Sequence, residues 1–242
     1  MLSEIKQRVF SHLSLEAKCW LRHWRHYRSY RSMRNATGKS DPVAVFDDMR
    51  CVFVHIPKTG GKSIKQALFG KVKGGHKSAE ELMCIFGPAR FKRYFSFAFA
   101  RNPFERLVSA YTYLKKGGIN EGDKRFSDKH LARYESFHAF VMDWVNPSNV
   151  QLYYHFRPQH QYIYSGDGRC LVDMVGHLET IEQDFAKIRA RLGVEASLPH
   201  RNSTPRKRSY ESFYKAPSKR KAFDVYKRDF KLLGYDREKF MQ

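Results

Sequence analysis

Negative charge is what this chain has least of. Twenty-four Asp and Glu stand against forty-five Lys and Arg, a formal net charge of +21 over 242 residues. That balance calls for an anionic partner: a nucleic acid, an acidic glycan, or a lipid-linked precursor at an anionic membrane. No zinc-ligand spacing, RNA-binding aromatic motif or helix-turn-helix is visible, so nucleic acid is the least favoured of the three. Cysteine is scarce as well. Cys19, Cys51, Cys84 and Cys170 make no CxxC pair, which argues against a metal centre and for reduced, mostly packed thiols. Long apolar runs are missing: nothing approaches the roughly 18–20 residues that span a bilayer, and no signal-peptide core is present. The expectation is a cytoplasmic or membrane-peripheral protein. No internal repeat or low-complexity run stands out.

What is present concentrates in two stretches. The first, Cys51 to Ile64, reads CVFVHIPKTGGKSI. Val52, Phe53, Val54 and Ile56 make a short β-rich apolar run, closed by Pro57, which cannot donate to a sheet ladder. Gly60 and Gly61 give the backbone dihedrals that other residues avoid and let an anion approach the amides. Residues 63–69 read as the helix whose N-terminus attracts negative charge. The expected ligand is a phosphorylated nucleotide. Gly61, Lys62 and Ser63 match the tail of the nucleotide-triphosphate P-loop, G-x-x-x-x-G-K-[ST], but Ile56 stands where its leading glycine belongs. The magnesium-holding aspartate of those enzymes is missing too: the next strand candidate, residues 94–100, ends in Arg101. A cation there points to a ligand bound without a metal.

The second stretch, Phe95 to Tyr113, reads FSFAFARNPFERLVSAYTY. An apolar strand leads into a well-formed helix start, with Asn102 as N-cap and Pro103 in the first turn. Leu107, Val108, Ala110, Tyr111 and Leu114 face the core, which lets Arg101 and Ser109 converge on an anion. Two phosphate-binding devices thus sit on successive strand-to-helix turns.

At these residues the chain resembles the carbohydrate sulfotransferases that use 3'-phosphoadenosine-5'-phosphosulfate (PAPS), in particular the family of uronyl 2-O-sulfotransferases and their bacterial relatives. The segments 175–185, 200–210 and 225–235 resemble that family's later blocks. The resemblance implies in-line, metal-independent transfer of a sulfuryl group from PAPS to a sugar hydroxyl or amine, leaving 3',5'-ADP. It assigns the 5'-phosphate to Thr59, Gly60, Gly61, Lys62 and Ser63, with Lys58 at the leaving-group oxygen. The 3'-phosphate falls to Arg101 and Ser109, and a closing loop to Asn202, Ser203, Arg206, Lys207 and Arg208. His76, between the two motifs, is the leading general base, with Glu179 or Glu105 as alternatives. Arg157 and Gln159, in RPQHQYI, are candidates for an acceptor wall together with His76 and Glu179. His55 reads as a packed, hydrogen-bonded residue, Glu105 and Arg106 as a helix-surface charge pair, and Arg106 as solvated. Lys62 and His177 depart from the family pattern, at positions where relatives often carry a small hydroxyl residue and an arginine.

The remaining pattern predicts a single α/β domain over residues 46–242, P-loop-like, with a central, mainly parallel sheet flanked by helices and the ligand at the strand carboxyl ends. Further helices are expected over 135–144, 180–192 and 218–232. In the last, Phe223, Tyr226, Phe230 and Leu233 recur at helical spacing as a core stripe. Residues 1–45 form a separate arm: its first forty residues hold nine Lys/Arg against two acidic residues, interleaved with Trp20, Leu21, Trp24, Tyr27 and Tyr30. It reads either as an amphipathic helix on a membrane surface or as a packing arm with a solvated basic face. The favoured acceptor is an acidic or lipid-linked polysaccharide. The competing readings are a metal-dependent nucleotide kinase and a non-enzymatic polyanion or nucleic-acid binder.

Overall fold

Three parallel strands, Cys51–Val54 (β1), Phe95–Ala100 (β2) and Met174–His177 (β3), form a sheet in the order β1-β2-β3, with Cys51 opposite Phe95 and Phe97 opposite Met174. The structure, a computed structural model, describes residues 12–35, 42–72, 75–199 and 209–235. β1 is buried at every residue and β2 at all but its first. Parallel strands covered on both faces need such continuous apolar runs. Phe53, Phe97 and Phe99 are fully or almost fully buried, each contributing about 1.5–3 kcal/mol over an exposed position. β3 is legible only in its glycine: a Cβ at Gly176 would stand 2.8 Å from the Phe99 ring.

The helices are Leu15–Arg25 (α1), Tyr27–Arg34 (α2), Pro42–Asp48 (α3), Gly61–Phe69 (α4), Ala79–Phe86 (α5), Pro88–Phe91 (α6), Pro103–Lys115 (α7), Glu121–His130 (α8), Phe137–Asp143 (α9), His160–Ile163 (α10), Ile181–Leu192 (α11) and Ala216–Leu232 (α12). Their starts follow local chemistry. Asn102 Oδ1 accepts from the amides of Phe104 (2.9 Å) and Glu105 (3.2 Å), and Pro103 occupies the first turn of α7. Ser78 and Glu81 close a reciprocal capping box at α5. The stripe expected on the last helix is core packing: Tyr226, Phe230 and Leu233 are buried, and the Phe230 ring lies 4.8 Å from that of Phe104. Asp229 on the same helix accepts from the amides of Gln159 (2.7 Å) and His160 (2.9 Å), which fixes the start of α10.

The expected division at 45/46 falls inside α3, whose Val43, Val45 and Phe46 join the core beside β1. In the arm, Cys19 and His23 are buried against α5: the Cys19 and Cys84 sulfurs lie 3.0 Å apart, and His23 Nδ1 donates to the Cys84 carbonyl at 2.8 Å. The outer face carries exposed Trp20, Leu21 and Trp24, with Trp20 stacked on Trp24 and Trp24 on Tyr27, both at 5.7 Å. One face therefore packs, while the aromatic and basic face meets solvent. Cys19, Cys51 and Cys84 are buried, and Cys170 is the exposed exception among thiols expected to be mostly packed. Among the described residues no helix is long and apolar enough to cross a membrane.

Candidate functional site

The carboxyl ends of β1 and β2 open on a cleft of about 650 Å³. Its floor is the loop from His55 to Gly60. Lys58 (φ +71°) and Gly60 (φ +82°) both take the left-handed conformation, which costs a non-glycine residue about 1–2 kcal/mol. Surrounding bonds hold the loop there. Thr59 is fully buried and its Oγ1 donates to the Ile56 carbonyl at 2.9 Å; Arg106 Nε donates to the Pro57 carbonyl at 2.9 Å; Arg101 Nη1 donates to the Lys58 carbonyl at 3.3 Å. Gly60 backs onto β3's exit, where an added Cβ would come within 2.8 Å of Leu178 Cδ1. Gly61 opens α4, but not for its dihedral freedom as expected: a Cβ there would sit 2.0 Å from His55 Cδ2, so its role is to make room for the imidazole.

Lys58, Gly60, Gly61, Lys62, Ser63, Arg101 and Ser109 all line the cleft, so the two sequence motifs converge as anticipated. Arg101 is held by a salt bridge to Glu105, its main-chain N–H donates to Gln159 Oε1 at 3.0 Å, and Gln159 Nε2 donates to its carbonyl at 2.7 Å. Its Nε is buried without a hydrogen-bond partner among the described residues. A buried cationic donor left open beside a cleft suits an anion, since burial without a partner is costly. Ser63 and Lys62 enter from the first turn of α4, whose amides add positive partial charge.

Several sequence expectations are corrected. The Thr59 hydroxyl points into the loop and cannot wrap a phosphate; only its main chain remains for that. Gln159 is fully buried and Glu179 accepts from the Asn102 amide at 2.6 Å and the Tyr235 hydroxyl at 3.0 Å. Both brace the Arg101–Asn102 turn from behind and neither lines the cleft. Arg157 also stands outside the cleft, with its guanidinium 5.7 Å from the Tyr162 ring. Arg106 is buried, not solvated, and Glu105 pairs with Arg101 in its place. Asn202, Ser203, Arg206, Lys207 and Arg208 lie outside the described residues.

The far wall holds His76 and His55 together with residues that sequence reasoning missed: Lys65, Tyr113, Asn120, Tyr154 and His155. His76 Nδ1 donates to the His55 carbonyl at 2.9 Å, so the neutral ring carries its lone pair on Nε2. Burial, then the charges of Lys65 and Arg106, push its pKa down to about 4. His155 is pushed down to about 3, chiefly by burial, although Asp123 Oδ1 lies 3.5 Å from its Nε2. His55 goes well below the ordinary value for the same first cause. Behind this wall Asp123, fully buried, accepts from the hydroxyls of Tyr113 (2.6 Å), Tyr153 (2.6 Å) and Tyr154 (3.0 Å). Among the described residues no group of three or more His, Cys, Asp or Glu is arranged to hold a metal ion.

The sequence that builds this cleft has counterparts among known proteins. The sequence model of the sulfotransferase family matches residues 41–236. The chain is 24% identical to carbohydrate sulfotransferase 10 of Homo sapiens over 246 aligned residues, 83% of this chain and 68% of that protein. It is 29% identical to carbohydrate sulfotransferase 11 of Rattus norvegicus over 170 residues, 60% of this chain and 48% of that one. With carbohydrate sulfotransferase 14 of Danio rerio the identity is 25% over 231 residues, 80% of this chain and 62% of the relative. No solved structure gives a significant match.

Proposed function

The chain belongs to the sulfotransferase family, matched over residues 41–236, and from that premise we propose that it transfers a sulfuryl group from PAPS to a hydroxyl or amine of a carbohydrate. The observation that carries the reading is the convergence of Lys58, Lys62, Ser63, Arg101 and Ser109 on one cleft, opposite His76. The relatives named as carbohydrate sulfotransferases support a sugar acceptor, and the net charge of +21 favours an acidic or lipid-linked polysaccharide. The transferase domain is taken to begin near residue 41, with the basic arm before it.

The buried, unpartnered Arg101 Nε and the amide-rich loop fit a donor with phosphate at both ends. Bound PAPS would supply an activated sulfuryl group and a stable leaving nucleotide. The main chain of residues 59–63, with Lys62 and Ser63, would hold the 5'-phosphate; Arg101 and Ser109 would hold the 3'-phosphate, which separates this donor from ATP. The family resemblance also assigns nucleotide contacts to Asn202, Ser203, Lys207 and Arg208, which lie outside the described residues. The Lys58 ammonium stabilises charge developing on the departing phosphate oxygen. His76 Nε2 takes the proton from the acceptor as the new bond to sulfur forms.

The direct test is transfer of radiolabelled sulfate from PAPS to a panel of neutral and acidic glycans. Label on glycan, greatest with acidic acceptors and retained in chelator, is the expected result. Label on no glycan, with phosphoryl transfer from ATP and magnesium, would favour the kinase.

A further inference from the structure

Tyr113 lines the cleft and has no role so far. We propose that Tyr113, held by the buried carboxylate of Asp123, is a positioning residue that parks the Lys58 ammonium and sets its approach to the departing oxygen. The inference rests on reading Lys58 as the leaving-group cation.

Lys58 Nζ stands 3.9 Å from the centroid of the Tyr113 ring, well inside the range of a cation–π contact. The main chain of Lys58 is fixed by its left-handed turn and by Arg101 Nη1 on its carbonyl. Only the flexible four-carbon stem remains to be aimed, and the ring supplies a fixed seat for its tip. Tyr113 lies one turn beyond Ser109 on α7, so both face the cleft. A seat of this kind must itself be rigid. The Tyr113 hydroxyl donates to Asp123 Oδ2 at 2.6 Å, and that oxygen also accepts from Asn120 Nδ2 (3.0 Å) and the Ile119 amide (3.2 Å). The chain passes directly over the carboxylate at Gly118 (φ +66°), where a Cβ would fall 2.2 Å from that of Asp123. A hydrogen bond to a buried carboxylate also makes the phenol more electron-rich, which strengthens its attraction for a cation. A tyrosine placed only to fill space would still need a partner for its hydroxyl, but not a lysine ammonium over its ring.

The test is a double-mutant cycle on the full chain, read in kcat, donor KM and affinity for 3',5'-ADP. Tyr113→Leu is expected to lower kcat about tenfold with donor KM and 3',5'-ADP affinity within about twofold, as loss of a transition-state contact requires. Tyr113→Phe, which keeps the ring but loses the bond to Asp123, should recover only part of that loss. In a Lys58→Ala background Tyr113→Leu should have no further effect on kcat. Equal effects of Tyr113→Leu with and without Lys58, or no effect with Lys58 present, would overturn the proposal while leaving the sulfotransferase reading intact. If Lys58→Ala itself left kcat unchanged, the role of Lys58 would fall, and the seat with it.

Discussion

Replacing His76 with alanine is expected to lower turnover about 10²–10⁴-fold while affinity for 3',5'-ADP stays nearly intact. The magnitude follows from general-base catalysis, and the selectivity from where the ring stands. His76 touches the His55 carbonyl and the far wall, stacking 4.9 Å from Tyr154, whereas the turns proposed to hold the nucleotide carry Lys58, Ser63 and Arg101. With its pKa down to about 4, the ring is neutral and able to accept a proton at pH 7 in the free protein. The acidic limb of kcat/KM, which reports the free enzyme, is therefore expected near pH 4 and not near 6.5. The limb of kcat should lie at higher pH, because an anionic donor beside the imidazole offsets the Lys65 and Arg106 charges that depress it. Near-wild-type turnover of the alanine variant would remove His76 from the mechanism.

The second large effect is on stability in mild acid. His55, His76 and His155 all have folded-state pKa values below the ordinary histidine value, the last two at about 4 and about 3, with burial the first cause in each. An unfolded chain binds these protons near pH 6.5, but the folded chain resists them, so ν of the unfolded state exceeds that of the native state. Stability is thus undiminished above about pH 6.5 and falls as pH drops through the window towards 4. Each group costs about 1.4 kcal/mol per pH unit inside its window, so His76 alone removes about 2 kcal/mol by pH 5. His155, with its pKa at about 3, adds a comparable cost, and the two together take a large share of a typical 5–15 kcal/mol. Denaturant midpoints measured at pH 7 and pH 5 should differ accordingly, with the difference reduced in His76→Asn. Midpoints that do not move over this range would mean the histidines are solvated in the native protein.

The two strand-to-helix motifs were legible because their signals are local. An apolar run closed by Pro57, a glycine pair, and the Asn102-Pro103 cap each act within a few residues of where they are read. The bracing of the site was not legible, because it is built from contacts distant in sequence. Thr59, Gln159 and Glu179 are residue types that bind ligands as readily as they tie loops, and only tertiary structure turns them inward: Gln159 meets Arg101 across 58 positions and Glu179 meets Asn102 across 77. Arg106 looked solvated by its charge, yet it sits among Phe104, Leu107, Val108 and Ala110 on a helix that is buried nearly all round. The far wall had a faint signal. Tyr153, Tyr154 and His155 stand just ahead of the family-like RPQHQYI segment, separated from it by Phe156, but nothing in the sequence ties them to Asp123, 30 positions away for Tyr153. β3 escaped notice because only Gly176 of its four residues is buried, so it carries no apolar run.

The central claim is a nucleotide site that selects a 3'-phosphate and needs no metal, and calorimetric titration with 3',5'-ADP, compared with ATP plus magnesium, tests it most directly. The account predicts tight binding of 3',5'-ADP in the presence of chelator and a clear loss of affinity in Arg101→Ala, whose guanidinium is the buried, partly unpartnered donor of the cleft. Preference for ATP with magnesium, or binding of 3',5'-ADP that Arg101→Ala leaves unchanged, would contradict it.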